Sequence, residues 1–246
     1  MAIHDFNAQR LYVDQALAPG AEIEIGQDQT NYLINVLRLA AGAEIRLFNG
    51  SDGEWLCRIT TIAKRRCTLS VSSLMRAQQA GPDIDYFFAP LKRARLDYMV
   101  QKAVELGVAS LTPVITHRTI VDRVNLERMR ANAIEAAEQC GILRLPAVAE
   151  PVKFAHLLAD WPETRALVVC DEAAPVTSAI SALQPLQGQG CGLLVGPEGG
   201  FSPDERAQLL RHPAAVAISL GPRIMRADTA AVAALAVLNA AIGDWR

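Results

Sequence analysis

The sequence has few cysteines, and their spacing organises neither a metal site nor a disulfide framework. The 246 residues contain five, an odd number, with no C-x-x-C pair: Cys57, Cys67, Cys140, Cys170 and Cys191. Scattered single thiols argue against a zinc site and against a disulfide-stapled secreted domain. We therefore expect no metal requirement and a reducing, cytoplasmic environment.

An excess of charge of one sign and a long apolar run are also missing. The formal net charge is −2, so any contact with nucleic acid has to come from a local basic patch. The first residues lack the apolar core of a signal peptide. The alanine-rich C-terminal stretch is bounded by Arg226, Asp228 and Asp244, which suits a packed helix better than a membrane span. These features predict a soluble protein without a membrane partner.

Several catalytic motifs are absent as well. The chain contains no P-loop, no H-E-x-x-H and no G-x-S-x-G, and its four histidines lie far apart. Gly188, Gly190 and Gly192 precede an apolar run instead of following one, so they do not form a dinucleotide fingerprint. We predict a surface loop at these glycines.

The residues that are present divide into two patterns. Up to about Val71, short alternating apolar and polar runs with Asn-Gly and Asp-Gly turns predict strands, interrupted by one helix in "QTNYLINVLRL". After residue 83, apolar runs such as "ALVVC" and "GLLVG" alternate with helical stretches, which is typical of a parallel sheet buried on both faces. We predict a β-barrel-like domain at residues 1–73, a linker at 74–83 and an α/β domain at 84–246.

Two loops of the α/β region are candidate ligand sites. "LLVGPEGGFSPDE" (residues 193–205) and "SLGPRIMRADTA" (residues 219–230) each run from a buried apolar strand into a Gly-Pro turn and then a helix. Parallel sheets bind ligands at the carboxyl ends of their strands, and glycine lets the backbone approach a ligand closely. In the first loop, Ser202 and Glu205 predict a capping box at a helix start. The two loops also supply a carboxylate, Glu198, and two arginines, Arg223 and Arg226.

These two segments closely resemble the signature segments of the bacterial 16S ribosomal RNA (uracil-N3)-methyltransferases of the RsmE type, in the SPOUT superfamily. "LKRARLDYMVQKAVELGV" and "EAAEQCGILRLP" are similar to further segments of that family, and "VLRLAAGAEIRLFNG" resembles its PUA-like RNA-binding domain. The resemblance covers nearly the whole chain. It implies a trefoil-knotted α/β domain, an exception to un-knotted topology. It also implies S-adenosylmethionine as cofactor, a homodimer whose site borrows from both subunits, and 16S rRNA or the small ribosomal subunit as partner.

The resemblance also implies which residues hold the cofactor. They are Cys170, Asp171, Glu172, Leu194, Val195, Gly196, Pro197, Glu198, Gly199, Gly200, Leu220, Gly221, Ile224, Met225 and Arg226.

Methylation of uracil N3 requires loss of the N–H proton while negative charge develops on the flanking carbonyl oxygens. Arg226 suits the stabilisation of that charge. Asp228 or Glu198 suits acceptance of the proton or orientation of the arginine. Two positions depart from the family pattern. Ala227-Asp228 stands where Thr-Glu is usual, which shortens the acid, and Ile142 stands where an arginine is common.

Basic residues supply candidate RNA contacts. No acidic residue occurs from Trp55 to Pro82, whereas lysines and arginines recur there and shortly afterwards. Beside a small β domain, such a run predicts a surface that follows phosphates. The candidate RNA-binding residues are Arg10, Arg38, Lys64, Arg65, Arg66, Lys92, Arg93, Lys102 and Arg144.

Two other functions fit the same residues. Related knotted enzymes methylate the ribose 2′-hydroxyl, but they carry a "SLN"-type segment where this chain has Ser219-Leu220-Gly221. A non-catalytic RNA-binding assembly factor is the second alternative. Gly196, Glu198, Arg226 and Asp228 argue against it, while Ile142 leaves it open.

Overall fold

A computed structural model describes residues 9–121, 123–174 and 178–245, and the chain divides into two compact units. Unit 1 comprises the chain up to Ala80 together with Ala137–Arg144. Unit 2 comprises Gly81–Ala136 and Leu145–Arg246. Residues 1–8 of the predicted first domain lie outside the described residues.

Unit 1 is built on a five-stranded sheet. Its strands are β1 (Arg10–Tyr12), β2 (Glu22–Ile25), β3 (Glu44–Phe48), β4 (Glu54–Ile62) and β5 (Cys67–Arg76). Their order across the sheet is β1-β3-β4-β5-β2; β1 and β3 are parallel and the other pairs are antiparallel. The apolar residues of the alternating pattern point into the core, and Leu47, Cys57 and Leu69 are fully buried.

The predicted helix of unit 1 ends earlier than its apolar pattern. Helix α1 (Gln27–Asn31) continues into a π-helical turn, Tyr32–Val36, and the chain leaves the helix at Arg38. Arg38 has a φ of 57°, a left-handed conformation that residues other than glycine rarely adopt. The N–H of Leu39 then donates to the carbonyl of Leu33 at 3.0 Å, closing the widened turn. Leu37 and Leu39 pack against the core from outside the helix.

Unit 2 contains a wholly parallel sheet. Its strands are β6 (Ile84–Phe88), β7 (Ser110–Ile115), β8 (Ala147–Val148), β9 (Val152–Lys153), β10 (Ala166–Cys170), β11 (Cys191–Val195) and β12 (Ala215–Ile218). The order is β12-β10-β11-β6-β7-β8, and β9 pairs with β7. Residues Cys191–Val195 are buried throughout, as continuous apolar strands covered on both faces must be. The parallel α/β prediction is confirmed.

In the described part of the chain, five helices connect these strands and a sixth follows β12. They are α2 (Arg93–Glu105), α3 (Leu126–Cys140), α4 (Phe154–Ala159), α5 (Ala179–Leu183), α6 (Pro203–Arg211) and α7 (Ala227–Ala241), with a 3₁₀ turn at Gln184–Leu186. Helix α2 ends at Glu105, and Gly107, whose φ is 77°, lets the chain turn off the helix. Helix α7 packs against α2, α5 and β11. Among the described residues, no helix is both long enough and apolar enough to span a bilayer.

One glycine prediction is wrong. Gly192, assigned above to a surface loop, lies inside β11 and is buried. A Cβ atom there would come within 2.3 Å of the Trp161 ring, because the indole packs directly on the strand backbone. Gly188 does lie in the exposed connection before the strand.

Candidate active site

The loops that follow four neighbouring strands meet at one edge of the unit 2 sheet. Strands β12, β10, β11 and β6 are adjacent and parallel, so their carboxyl ends lie together. Main-chain bonds tie these ends to each other. The Asp171 N–H donates to the Ile218 carbonyl at 2.9 Å, and the Ala89 N–H donates to the Val195 carbonyl at 3.0 Å. The structure thus brings together the two Gly-Pro loops that the sequence singled out.

The glycine-rich turn after β11 is tight. The Gly200 N–H donates to the Pro197 carbonyl at 2.8 Å, and Gly200 has a φ of 66°. Pro197 is buried, whereas Glu198 and Gly199 face solvent. Only glycine takes this backbone conformation at position 200 without strain.

The start of α6 anchors the far end of that turn. Ser202 and Glu205 form the predicted capping box, in which the Ser202 N–H donates to Glu205 Oε2 at 2.8 Å. The other carboxylate oxygen of Glu205 accepts from the His117 N–H at 2.7 Å. Glu205 is buried, and its charge is satisfied by two backbone N–H groups from two different loops. The sequence indicated the cap but gave no sign of the His117 contact.

The loop after β10 is held by an ion pair that the sequence did not suggest. Arg206 Nη2 lies 2.8 Å from Asp171 Oδ2, and the Arg206 Nε–H donates to the same carboxylate oxygen at 3.0 Å. Asp171, which the resemblance places in the cofactor set, is buried, and its carboxylate is paired with a guanidinium of the protein itself. Burial raises the pKa of the adjacent Cys170 thiol to about 12, which keeps that thiol protonated and poorly nucleophilic near neutral pH.

The loop after β12 presents the candidate catalytic groups. Gly221 has a φ of 106°, Ile224 is 91% exposed, and Arg226 is exposed at the N-cap of α7. Asp228 lies half-buried in the first turn of α7, and one of its oxygens accepts from the Thr229 N–H at 3.0 Å. Within the described part of the chain, the Arg226 guanidinium makes no ion pair or hydrogen bond, so it is available to a ligand.

Glu198, the third candidate, is held loosely. Its Oε1 lies 3.7 Å from Arg95 Nη1, and both side chains are well exposed to solvent. An exposed pair at this distance contributes little stability. Glu198 can therefore reorient toward a bound substrate at small cost.

The candidate RNA-binding residues occupy different environments. Lys64, Arg65 and Arg66 are exposed on the turn between β4 and β5 and line a groove with Glu24 and Gly26. Arg38 is also exposed.

In unit 2, Lys92 and Arg93 are exposed at the start of α2, at the carboxyl edge of the sheet. Lys102 is paired with Glu105 at 2.6 Å. Arg144, which belongs to unit 1, donates to the Ala80 carbonyl.

Arg10 requires a correction. Its side chain is only 7% exposed, and its guanidinium pairs with Glu54. It also donates to the carbonyls of Ala137, Glu138 and Ile142, all within unit 1. With its donors used in this way, Arg10 holds unit 1 together and does not present a cation to RNA.

Comparison with known proteins finds matches for both parts of the chain. Residues 79–239 match the model of an RNA methyltransferase domain, and residues 25–72 match that of an RNA methyltransferase PUA domain. Ribosomal RNA small subunit methyltransferase E of Rickettsia conorii is 31% identical over 92% of this chain and 93% of its own. The chain belongs to the ribosomal RNA small subunit methyltransferase E family.

Solved members of this family share the fold. A methyltransferase of Legionella pneumophila, solved with bound SAM, is 31% identical with a TM-score of 0.86, covering 97% of this chain and 99% of its own. The methyltransferase E of Neisseria gonorrhoeae, bound to S-adenosyl methionine, is 27% identical with a TM-score of 0.88. That match covers 98% of this chain and all of the other. The predicted fold class, a PUA-like domain followed by a SPOUT-type α/β domain, is confirmed.

Proposed function

We propose that this protein transfers a methyl group from S-adenosylmethionine to N3 of a uridine in 16S rRNA. The observation that carries the proposal is the convergence of the Gly196–Gly200 turn and the Arg226 loop at one edge of the parallel sheet. The two solved methyltransferases with the same fold are bound to this cofactor. The names of the Rickettsia and Neisseria proteins describe methylation of small-subunit ribosomal RNA.

The residues present fit a cofactor that combines an apolar body with polar ends. A Cβ at Gly221 would meet no atom within 4 Å, so the backbone is open to a ligand there. Ile224, exposed beside it, offers an apolar surface to the cofactor. The predicted cofactor set extends from these residues to Cys170–Glu172 and Leu194–Gly200, which border the same edge. When bound, the cofactor supplies an electrophilic methyl group.

Arg226 stabilises the reacting base in this proposal. Its free guanidinium places a fixed positive charge where the uracil carbonyl oxygens become negative. Asp228 or Glu198 accepts the N3 proton. Asp228 is the more firmly held of the two, since a backbone N–H already binds it, whereas Glu198 is loosely paired. The residues of the two loops would supply the remaining rate enhancement by holding the cofactor and the base next to each other.

The proposal also includes contacts with the RNA substrate and with a second copy of the chain. The exposed cations at residues 64–66 and at Lys92 and Arg93 suit the phosphates of the substrate, since cations at these positions neutralise backbone charge. We further propose a homodimer whose site draws on both subunits, a trefoil knot through the two cofactor loops, and action in the cytoplasm.

The test is nucleoside mass spectrometry of 16S rRNA from cells that lack this gene and carry a complementing copy. We expect the wild-type copy to restore 3-methyluridine and Arg226→Ala to leave it absent. Arg211→Ala removes an exposed arginine whose side chain, among the described residues, bonds to the Ala207 carbonyl of its own helix, and it should restore the nucleoside. Unchanged 3-methyluridine in the deletion strain would exclude base methylation. A missing 2′-O-methylated nucleoside would instead establish the ribose alternative.

A further inference from the structure

A turn outside the predicted cofactor residues holds the glycine-rich turn in place. Thr116 to Thr119 follow β7, and they form a compact unit of their own. The Thr116 N–H donates to Thr119 Oγ1 at 2.9 Å, the two hydroxyls lie 2.9 Å apart, and the Thr119 N–H donates back to the Thr116 carbonyl at 3.2 Å. These hydrogen bonds within the turn fix its conformation independently of its contacts with the rest of unit 2.

Arg118 of this turn contacts the glycine-rich turn directly. Its Nη1–H donates to the Gly199 carbonyl at 2.7 Å. Its aliphatic stem lies along the same residue, since a Cβ at Gly199 would be 3.5 Å from Arg118 Cδ. The preceding residue, His117, donates its N–H to buried Glu205, which fixes the position of the turn against the start of α6.

The Arg118 bond constrains one peptide plane from one side, and Pro197 constrains it from the other. A trans peptide points its C=O and its N–H in opposite directions. The Gly199 carbonyl points to Arg118, and the N–H of the same peptide, on Gly200, donates to Pro197 at 2.8 Å. A peptide flip changes ψ of the first residue and φ of the second, and a glycine pair accommodates both changes easily when neither end of the peptide is held. Here both ends are held.

We propose that Arg118 is a positioning residue that locks the Gly199–Gly200 peptide and so keeps the cofactor turn in its binding conformation. This inference rests on the proposed function for its cofactor but not for its geometry. It acts through the turn, so its loss should weaken cofactor binding while leaving the fold intact. The exposure of Arg118 supports an intact fold in the variant, since truncation empties no buried space.

The experiment compares Arg118→Ala, Arg118→Lys and the control Arg211→Ala in the full-length protein. The first readout is hydrogen exchange of the Gly200 amide without cofactor, followed by NMR. The second is calorimetric titration with S-adenosylmethionine. We expect Arg118→Ala to speed exchange at Gly200 and raise the dissociation constant about fivefold, the effect of losing one partly exposed charged hydrogen bond. Lysine retains a donor and the stem, so it should recover most of both effects, and Arg211→Ala should change neither.

The outcomes separate the two proposals. The positioning role is overturned if the Gly200 amide of Arg118→Ala exchanges at the wild-type rate. It is also overturned if Arg118→Ala has the wild-type melting temperature and the wild-type dissociation constant for the cofactor. If the Gly200 amide exchanges faster in Arg118→Ala but the wild-type protein does not bind S-adenosylmethionine, the locked peptide is supported and the proposed function is overturned.

Discussion

At the scale of single residues, Glu54 is the buried charge on which unit 1 depends. Its side chain is 0% exposed and is surrounded by Arg10, Arg76 and Arg46, the last at 3.6 Å. Burial alone raises the pKa of this carboxyl, but hydrogen bonds from Arg76 and Arg10 outweigh burial, and the net pKa lies below its ordinary value. Glu54→Gln leaves these guanidiniums without their anion, which should lower the free energy of unfolding by about 3–5 kcal/mol.

The stabilisation that Glu54 provides should depend on pH. Because the folded pKa of Glu54 is depressed, its contribution is complete above the unfolded pKa of about 4.3 and is lost as pH falls through the folded value. In urea unfolding experiments, the difference in free energy of unfolding between wild type and Glu54→Gln should therefore become smaller as the pH is lowered from 7 to 3. Glu44→Gln, which breaks an exposed pair with Arg58, should cost less than about 1 kcal/mol. A constant gap over this range would contradict the assignment.

Contacts between residues that are close in the chain could be predicted from the sequence, whereas contacts between residues that are far apart could not. Ser202 and Glu205 are three residues apart, so their capping box follows from spacing alone. Arg10 appeared available to RNA because its partners, Glu54 and the carbonyls of residues 137–142, are far away in sequence. The Asp171–Arg206 pair and the Arg118 contact with Gly199 escaped detection for the same reason.

At the scale of elements, β11 leads directly into the glycine-rich turn, and Gly192 determines how closely the Trp161 ring packs on this strand. Gly192→Ala would place a Cβ 2.3 Å from one indole carbon and 3.1 Å from the Phe87 ring. Overpacking of this kind costs about 1–3 kcal/mol, because a buried ring has to shift against dense neighbours. Gly26→Ala, where an added Cβ meets nothing within 4 Å, is the control. Equal urea midpoints for the two variants would show that Trp161 moves freely.

The elements themselves were predicted where a periodic pattern is long. Strands β10 to β12 and helices α2, α3, α6 and α7 follow from continuous apolar runs and helical spacing. The two-residue strands β8 and β9 and the short helices α4 and α5 are set by packing against β7 and α7, not by a pattern of their own. In the site, the sequence predicted which loops converge, whereas the contacts that hold those loops depend on tertiary structure.

At the scale of the whole molecule, the apolar surface of unit 2 bears on the proposed homodimer. Tyr98 on α2, Ile180 on α5 and Trp245 after α7 are 46%, 50% and 55% exposed. Helices α2 and α5 both pack on α7, so these side chains belong to one group of neighbouring elements. Exposed apolar side chains on neighbouring helices are the surface that we assign to the partner in the proposed homodimer.

We therefore expect wild-type protein to sediment with twice the 26.6 kDa mass of one chain and Tyr98→Glu to shift the population toward the monomer. A buried carboxylate without a partner is costly at an interface, and the cost appears as dissociation. Leu210→Glu is the matched control, since Leu210 on α6 is 46% exposed, as Tyr98 is, but lies outside this group. Sedimentation velocity over a range of concentrations distinguishes the cases. A monomeric wild type would exclude the homodimer. A dimer broken equally by both variants would mean that the interface is not confined to α2, α5 and α7.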